Sequence, residues 1–246
     1  MKYIDVYGKR FPRFSRVEIH PVLGEILNTL PRGSLLDFPA GSGALSYRLF
    51  KDGFDVTACD LEPENFAMDE ISVIQGDLGQ PFPFADNQFD YATFVEGPEH
   101  TENPFFAIRE FSRVLTDEGR LLLTIPNYTS IEARLGFLLW GSGEKAITPD
   151  LIQDKYQGNR SMAHITPLTY TQIRYFLESS GFEIERVVKD KIKWKQFFLY
   201  PLVIIIQILT WLSGDKGQEK WWAKDANSMP ILLGGATLIL LAKKVS

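Results

Sequence analysis

Apolar and polar positions along the chain fall into blocks that predict strands and helices in turn. Short apolar runs are typical of buried strands, and apolar residues three and four positions apart indicate amphipathic helices. The predicted helices cover 17–30, 42–52, a short stretch near 63–69, 103–115 and 167–180, and the predicted strands cover 34–38, 54–60, 71–75, 89–95, 119–125 and 182–188. Because strands alternate with helices, we expect an α/β fold with a parallel sheet covered on both faces.

Acidic residues stand where four of the predicted strands end. They are Asp37, Asp60, Asp77 and Glu96. Ligands of such sheets bind beyond the carboxyl ends of the strands, and carboxylates are costly to bury without partners. We therefore expect a binding site at this edge of the sheet; the alternative for each residue is a solvated loop acid.

A glycine turn follows the first strand of the predicted sheet. The run Asp37-Phe38-Pro39-Ala40-Gly41-Ser42-Gly43 leads directly into a helical pattern. Glycines let the backbone approach a ligand closely, and a helix N-terminus offers unpaired N–H groups. Asp60, about 20 residues on, ends the second strand where a carboxylate can bind ribose hydroxyls. Because Ser46 stands where the dinucleotide fingerprint has its third glycine, the turn predicts a nucleoside-containing cofactor other than NAD.

Composition narrows the class of protein. The chain has 246 residues, a formal net charge of −5 and a pI near 5.3, which argues against a non-specific nucleic-acid binder. Cys59, the single cysteine, lies in a predicted strand, so a disulfide within the chain is excluded and a buried thiol is expected. The segment Met1–Tyr7 lacks the apolar core of a signal peptide, so we expect a cytoplasmic protein.

The order of the motifs resembles class I S-adenosylmethionine (SAM)-dependent methyltransferases over about residues 33–188. The matching segments are Asp37–Gly43, Asp60, Gln75–Leu78, Phe89–Glu96, Arg109–Leu115 and Gly119–Asn127. The resemblance implies a Rossmann-like seven-stranded sheet of order 3-2-1-4-5-7-6, with strand seven, near 237–244, antiparallel. It also implies SAM as the cofactor and the following contacts to it: Asp37, Ala40, Gly41, Gly43, Asp60, Leu61, Asp77, Leu78 and Glu96.

Two further segments resemble the acceptor side of a methyltransferase subgroup that includes ubiquinone-type O-methyltransferases. Glu96–His100 is similar to their Glu-x-x-Glu-His segment, and the stretch from His164 to Phe182 resembles a His-x-x-x-(Thr/Ser)-Pro…Gly-Phe segment. The resemblance implies catalytic roles for His100, His164 and Glu99, and a histidine is a suitable base near neutral pH. The alternative is that these histidines cap a helix or fill a polar gap. His20 is expected at the surface.

The resemblance also implies an alternative role for part of this segment. Glu96, Glu99 and His100 suit a divalent metal, but we favour cofactor contact for Glu96 and a loop-ordering role for Glu99 and His100, and we predict no metal site. Glu96–Glu99 differs from the (Asp/Asn)-Pro-Pro-aromatic motif of base methylation, which disfavours a nucleic-acid acceptor. By analogy alone, we expect methyl transfer to an oxygen, less readily a nitrogen or carbon, of a small, lipid-linked or glycan-precursor acceptor. The rival functions are a nucleotide-dependent oxidoreductase and a non-catalytic cofactor-binding module.

An apolar insertion over about 189–229 interrupts the pattern before the last strand. Its segment 197–212 is too short for a bilayer span of ~20 residues; lysines precede it, and Trp221 and Trp222 follow it. We expect a helix packed on the domain, a homodimer contact, or a peripheral contact at the inner face of the membrane. The predicted organisation is a single domain over 1–246 with an N-terminal helical segment over about 1–32.

Overall fold

The computed structural model describes residues 3–12, 19–143, 147–156, 163–191 and 194–245. Residues 17 and 18 of the predicted first helix and Lys193, one of the lysines before the apolar segment, lie outside them. The described chain forms a two-stranded hairpin and a seven-stranded sheet. The strands are β1 (Tyr3–Val6), β2 (Lys9–Pro12), β3 (Ser34–Asp37), β4 (Asp55–Asp60), β5 (Val73–Gln75), β6 (Phe89–Phe94), β7 (Leu115–Pro126), β8 (Phe182–Lys189) and β9 (Thr237–Lys244).

The large sheet has the strand order β5-β4-β3-β6-β7-β9-β8. β3 pairs in parallel with β4 and β6, and the parallel pairing continues to β5 on one side and β7 on the other. β9 runs antiparallel to both of its neighbours, β7 and β8. Counted from β3, this is the order 3-2-1-4-5-7-6 with an antiparallel last strand, so the predicted fold class is confirmed.

Ten helices follow the chain through its described parts. They are α1 (His20–Leu27), α2 (Ala44–Lys51), α3 (Pro104–Val114), α4 (Ile131–Trp140), α5 (Pro149–Tyr156), α6 (Tyr170–Glu178), α7 (Tyr200–Leu212), α8 (Gly214–Trp221), α9 (Ala223–Ala226) and α10 (Met229–Leu232). Local signals set several of their starts. The side chain of Asn103 accepts a hydrogen bond from the Phe106 N–H before α3, and Thr169 and Gln172 form a capping box at α6.

Apolar side chains cover both faces of the sheet. On one face, α3 and α6 pack on the sheet around Phe94, Phe111 and Ile173, and on the other α1 and α2 pack around Leu23 and Leu49. Two-sided burial explains why the strands read as continuous apolar runs. Cys59 is fully buried, as predicted, and burial raises the pKa of its thiol to about 12.

The structure differs from the predictions at the N-terminal segment, in the stretch between β4 and β5, and in the stretch between β7 and α6. The hairpin β1–β2 precedes α1, and Phe11 of this hairpin is fully buried with its ring 5.4 Å from that of Tyr47. The sequence patterns predicted neither this hairpin nor the helices α4 and α5. The predicted short helix near 63–69 is a single 3-10 turn over Pro63–Asn65. Within the described residues, no helix is both long and apolar enough to cross a bilayer.

Candidate active site

A cleft of about 620 Å³ opens at the carboxyl ends of the parallel strands. Its volume is in the range of small-molecule sites. It lies at the edge of the sheet where the sequence predicts a ligand. Of the residues predicted to act here, nine line the cleft: Asp37, Ala40, Gly41, Asp60, Leu61, Asp77, Leu78, Glu96 and His100. Gly43, Glu99 and His164 are not among the lining residues.

Two backbone N–H groups of the glycine turn donate hydrogen bonds to residues of β4. The Ala40 N–H donates to the Cys59 carbonyl at 2.9 Å, and the Gly41 N–H donates to Oδ2 of Asp60 at 2.7 Å. Gly41 has a φ of +54°, and a Cβ built there meets nothing within 4 Å. The backbone at Gly41 is therefore open toward the cleft, and a side chain there would occupy space that a ligand can fill.

Gly43 serves the fold of the turn. It has a φ of +84° at the N-terminus of α2, and a Cβ there would approach Cε2 of Phe66 to 2.7 Å. The contact of Gly43 with a cofactor stays a prediction, and the position of Phe66 gives an independent reason for a glycine here.

Asp37 lies beneath the glycine turn and is fully buried. Its Oδ1 accepts the hydroxyl of Thr93 at 2.6 Å, and its Oδ2 accepts the hydroxyl of Ser46 at 2.5 Å. Burial raises the pKa of Asp37 to about 6, although the two hydroxyl donors act in the opposite direction. Ser46, which replaces the third glycine of the dinucleotide fingerprint, thus ties α2 to the end of β3.

Asp60 ends β4 and projects at the rim of the cleft. Its Oδ1 accepts the N–H of Glu62 at 3.0 Å while Oδ2 accepts that of Gly41. A carboxylate has about four acceptor positions, so two remain for hydroxyl donors of a ligand. Its neighbour Leu61 is exposed and also lines the cleft.

Asp77 and Glu96 complete the acidic rim. Asp77 follows β5, and its Oδ1 accepts the N–H of Gly79 at 2.8 Å. Glu96 follows β6 with a φ of +49°, and its N–H donates to Oγ1 of Thr124 at 2.9 Å. Both side chains belong to turns at the strand ends that are fixed by backbone hydrogen bonds.

Glu99, His100 and His164 form a cluster beside the cleft. One ligand atom from each lies within 4.8 Å of the others, and the two imidazole rings meet edge to face with their centroids 5.0 Å apart. Nδ1 of His100 lies 3.0 Å from the Ala163 carbonyl, and Nδ1 of His164 lies 2.9 Å from the Tyr128 hydroxyl. These contacts fix both rings. From the sequence, the residues suited to a metal were Glu96, Glu99 and His100. In the structure, the group whose ligand atoms lie together is Glu99, His100 and His164.

Backbone hydrogen bonds join the two loops that carry the cluster. The Thr166 N–H donates to the Glu99 carbonyl at 3.1 Å, and the Thr166 hydroxyl donates to the Thr101 carbonyl at 2.7 Å. The side chain of Glu99 is 2% exposed and does not line the cleft, whereas that of the adjacent residue His100 does.

Sequence reasoning was wrong about one site residue and missed two others. His20, expected at the surface, is 4% exposed and lines the cleft, because α1 packs its first turn on the sheet. Tyr128 and Thr101 were not singled out. Tyr128 lies two residues after Pro126, where β7 ends. A polar residue just beyond a strand end was the sequence signal that could have identified it.

Comparison with known families agrees with this geometry. Residues 36–123 match the sequence profile of a family described as "Methyltransferase domain". Over this segment the chain is similar to a methyltransferase domain. The resemblance stated from the motifs is confirmed, and so is SAM as the cofactor that this family implies. The finer resemblance, to the Glu-x-x-Glu-His subgroup, stays a prediction.

Individual relatives point the same way over part of the chain. A demethylmenaquinone methyltransferase of Beutenbergia cavernae is 31% identical over 123 residues, which are 47% of this chain and 51% of that protein. A ubiquinone/menaquinone biosynthesis C-methyltransferase of Nitrobacter hamburgensis is 28% identical over 144 residues, 50% of this chain and 56% of that protein. The chain thus spans about half the length of these relatives.

A solved structure extends the similarity of fold to nearly the whole chain. A structure described as a putative methyltransferase of Bacillus halodurans superposes with a TM-score of 0.58 at 19% identity, covering 92% of this chain and 98% of that one. At this identity the likeness concerns the fold.

The cleft fits the cofactor that the family implies. Among the described residues that line it, six carry carboxyl groups and none is Lys or Arg. SAM carries a sulfonium and an ammonium group, so an acidic cleft suits it, whereas the pyrophosphate of a dinucleotide would face six carboxyl groups and no Lys or Arg side chain. The open backbone at Gly41 and the unused acceptor positions of Asp60 fit the rest of a nucleoside.

Proposed function

We propose that the protein transfers a methyl group from SAM to a hydroxyl oxygen of a small or lipid-linked acceptor. The observation that carries the proposal is the acidic cleft with a histidine-carboxylate cluster at one side. When bound, SAM supplies a methyl group on a positively charged sulfur, which needs no further activation. The chain has to hold the donor, align the acceptor and remove its proton.

Each part of the cleft has a role in this proposal. Asp60 binds the ribose hydroxyls, and the backbone at Gly41 admits the methionine portion. Asp77 and Leu78 flank the adenine, and Glu96 contacts the donor from β6. His100 lines the cleft, the Ala163 carbonyl 3.0 Å from its Nδ1 holds the ring in place, and the imidazole accepts the acceptor proton. His164 and the buried Glu99 position His100 and stabilise the imidazolium that forms.

The methylated atom separates two versions of this function. One of the relatives is named as a C-methyltransferase, so methyl transfer to a carbon is the second candidate. Both versions use the same base, because removing a hydroxyl proton also activates a neighbouring ring carbon. SAM labelled with carbon-13 in its methyl group, followed by carbon-13 NMR of the product, distinguishes O–CH3 from C–CH3 by chemical shift.

Calorimetric titration with SAM and with NAD tests the class of donor. We expect saturable binding of SAM and none of NAD. Asp60→Ala should weaken SAM binding. Glu64→Gln removes a carboxylate from an exposed turn outside the cleft; it is the control for Asp60→Ala and should bind SAM as the unchanged protein does. Binding of NAD with no binding of SAM would overturn the proposal.

A further inference from the structure

The outward face of α7 is apolar along most of the helix. Every exposed residue beyond its first turn is apolar: Ile204, Ile205, Ile208, Leu209, Trp211 and Leu212. At 100° per residue these six positions cover an arc of about 160°. The opposite side is the one that packs, with Val203 fully buried. α7 therefore presents a second apolar face in addition to the one that holds it on the domain.

The last turn of α4 adds to this exposed surface. Phe137, Leu138, Leu139 and Trp140 are all exposed, Trp140 to 82%. A hydrogen-bond chain joins the two helices: Arg134 of α4 donates to Oδ1 of Asn227, and Asn227 donates through Nδ2 to Oγ1 of Thr210 in α7, each at 2.6 Å. Ile131, the first residue of α4, packs in one cluster with Val203. The two helices thus belong to one packed unit.

The exposed area is larger than a monomer ordinarily leaves open. Phe137, Trp140 and Trp211 are each exposed by 65% or more. With roughly 150–250 Å² per aromatic side chain, these three alone expose on the order of 400 Å², which is already in the range of the largest patch of a typical monomer. The aliphatic residues of α7 come in addition.

Charge and aromatic composition indicate what covers this surface. Residues 189–229 contain seven lysines and four acidic residues, a formal charge of +3, while the whole chain carries −5, so the remainder carries −8. The five tryptophans of the chain all fall between 140 and 222. Lysines that flank an apolar helix along the sequence, together with exposed tryptophans, are typical of a helix in the interface of an anionic bilayer.

The length of α7 decides between lying in the bilayer and crossing it. Its 13 residues extend about 20 Å, against a hydrocarbon thickness of about 30 Å. A helix of this length buries one face at the headgroup boundary while its other face stays packed on the protein.

We propose that the apolar surface formed by the outward face of α7 and the last turn of α4 docks on an anionic lipid membrane. The negatively charged remainder of the protein is repelled from such a surface, so the charge distribution also orients the molecule, with α4 and α7 toward the lipid. This inference concerns binding and does not depend on the methyl-transfer reaction.

Flotation with liposomes tests the proposal on the full chain. We expect the protein to float with vesicles containing phosphatidylglycerol, and less so with pure phosphatidylcholine or at high salt. The double variant Ile205→Glu with Leu209→Glu should lower partitioning by about tenfold to a hundredfold, because two half-exposed aliphatic side chains no longer enter the interface. Phe50→Glu changes an exposed apolar residue of α2 and should float as the unchanged protein does.

Two measurements keep the test decisive. Circular dichroism and SAM titration of the double variant establish that it is folded, and quenching of tryptophan fluorescence by brominated lipids reports contact directly. Failure of the unchanged protein to float with anionic vesicles would overturn the proposal. A second result would also overturn it: the unchanged protein is a dimer in sedimentation velocity, the double variant is a monomer, and neither binds vesicles. A second copy of the chain would then cover the surface.

Discussion

The buried carboxyl of Asp37 makes a sharp prediction about stability and pH. Its pKa rises from 3.8 to about 6 in the folded protein because the group is completely buried. A carboxyl with a raised folded-state pKa stabilises the fold below about pH 4, where it is protonated in both states. That contribution is lost as the pH rises through about 6.

The size of the effect follows from the two pKa values. A shift of about 2.2 units corresponds to ~3 kcal/mol over the full titration, and to about 2 kcal/mol between pH 4.5 and pH 7.5. Asp37→Asn has nearly the same shape and carries no charge. The Thr93 and Ser46 hydroxyls can rotate to bond the amide. We therefore expect the free energy of unfolding of Asp37→Asn, relative to the unchanged protein, to rise by about 2 kcal/mol over this interval.

Urea denaturation at several pH values measures this difference. Glu64→Gln removes an exposed carboxyl of the same charge and is expected to show no such rise. If the difference between Asp37→Asn and the unchanged protein stays constant from pH 4.5 to pH 7.5, the carboxyl is ionised throughout and the burial argument is refuted.

Three further predictions concern the cleft. Asp60→Ala should weaken SAM binding by roughly tenfold to a hundredfold in calorimetry, because it removes charge-assisted hydrogen bonds of ~1.5–3 kcal/mol; unchanged affinity in a folded variant would contradict the ribose role. Gly41→Val should abolish SAM binding, and Gly43→Val should lower the melting temperature further than Gly41→Val does, because both positions have a positive φ but only the side chain at 43 also meets Phe66; equal melting temperatures of the two variants would contradict that difference. His100→Ala and His164→Ala should lower kcat with SAM affinity within about twofold. Loss of activity in EDTA that Mg²⁺ restores would instead make these histidines metal ligands.

Sequence patterns predict those parts of the site that depend on neighbours along the chain. The acids at the ends of β3, β4 and β6 follow directly from the strand pattern, and the glycine turn from its composition. The positive φ of Gly41 and its bond to Asp60 agree with that prediction. The strand order came from the resemblance to a family, since periodicity does not specify which strands pair.

Other parts depend on contacts between distant segments. His100 and His164 are 64 positions apart and meet because Thr166 bonds the backbone of Glu99 and Thr101, which no periodic pattern encodes. His20 was misplaced because a histidine before proline resembles a surface turn, whereas α1 buries its own first residue. α4 escaped prediction because its last four apolar residues are consecutive and do not lie on one helix face.

The position of β9 has a consequence for how the protein is made. This strand comes last of all along the described chain, yet it lies inside the sheet between β7 and β8 and pairs with both. During synthesis β8 has no neighbour to pair with until residues 237–244 leave the ribosome. The apolar helix α7 emerges before them. For this interval of translation the nascent chain exposes both an unpaired strand and a hydrophobic helix, the combination that chaperones bind and that membranes attract.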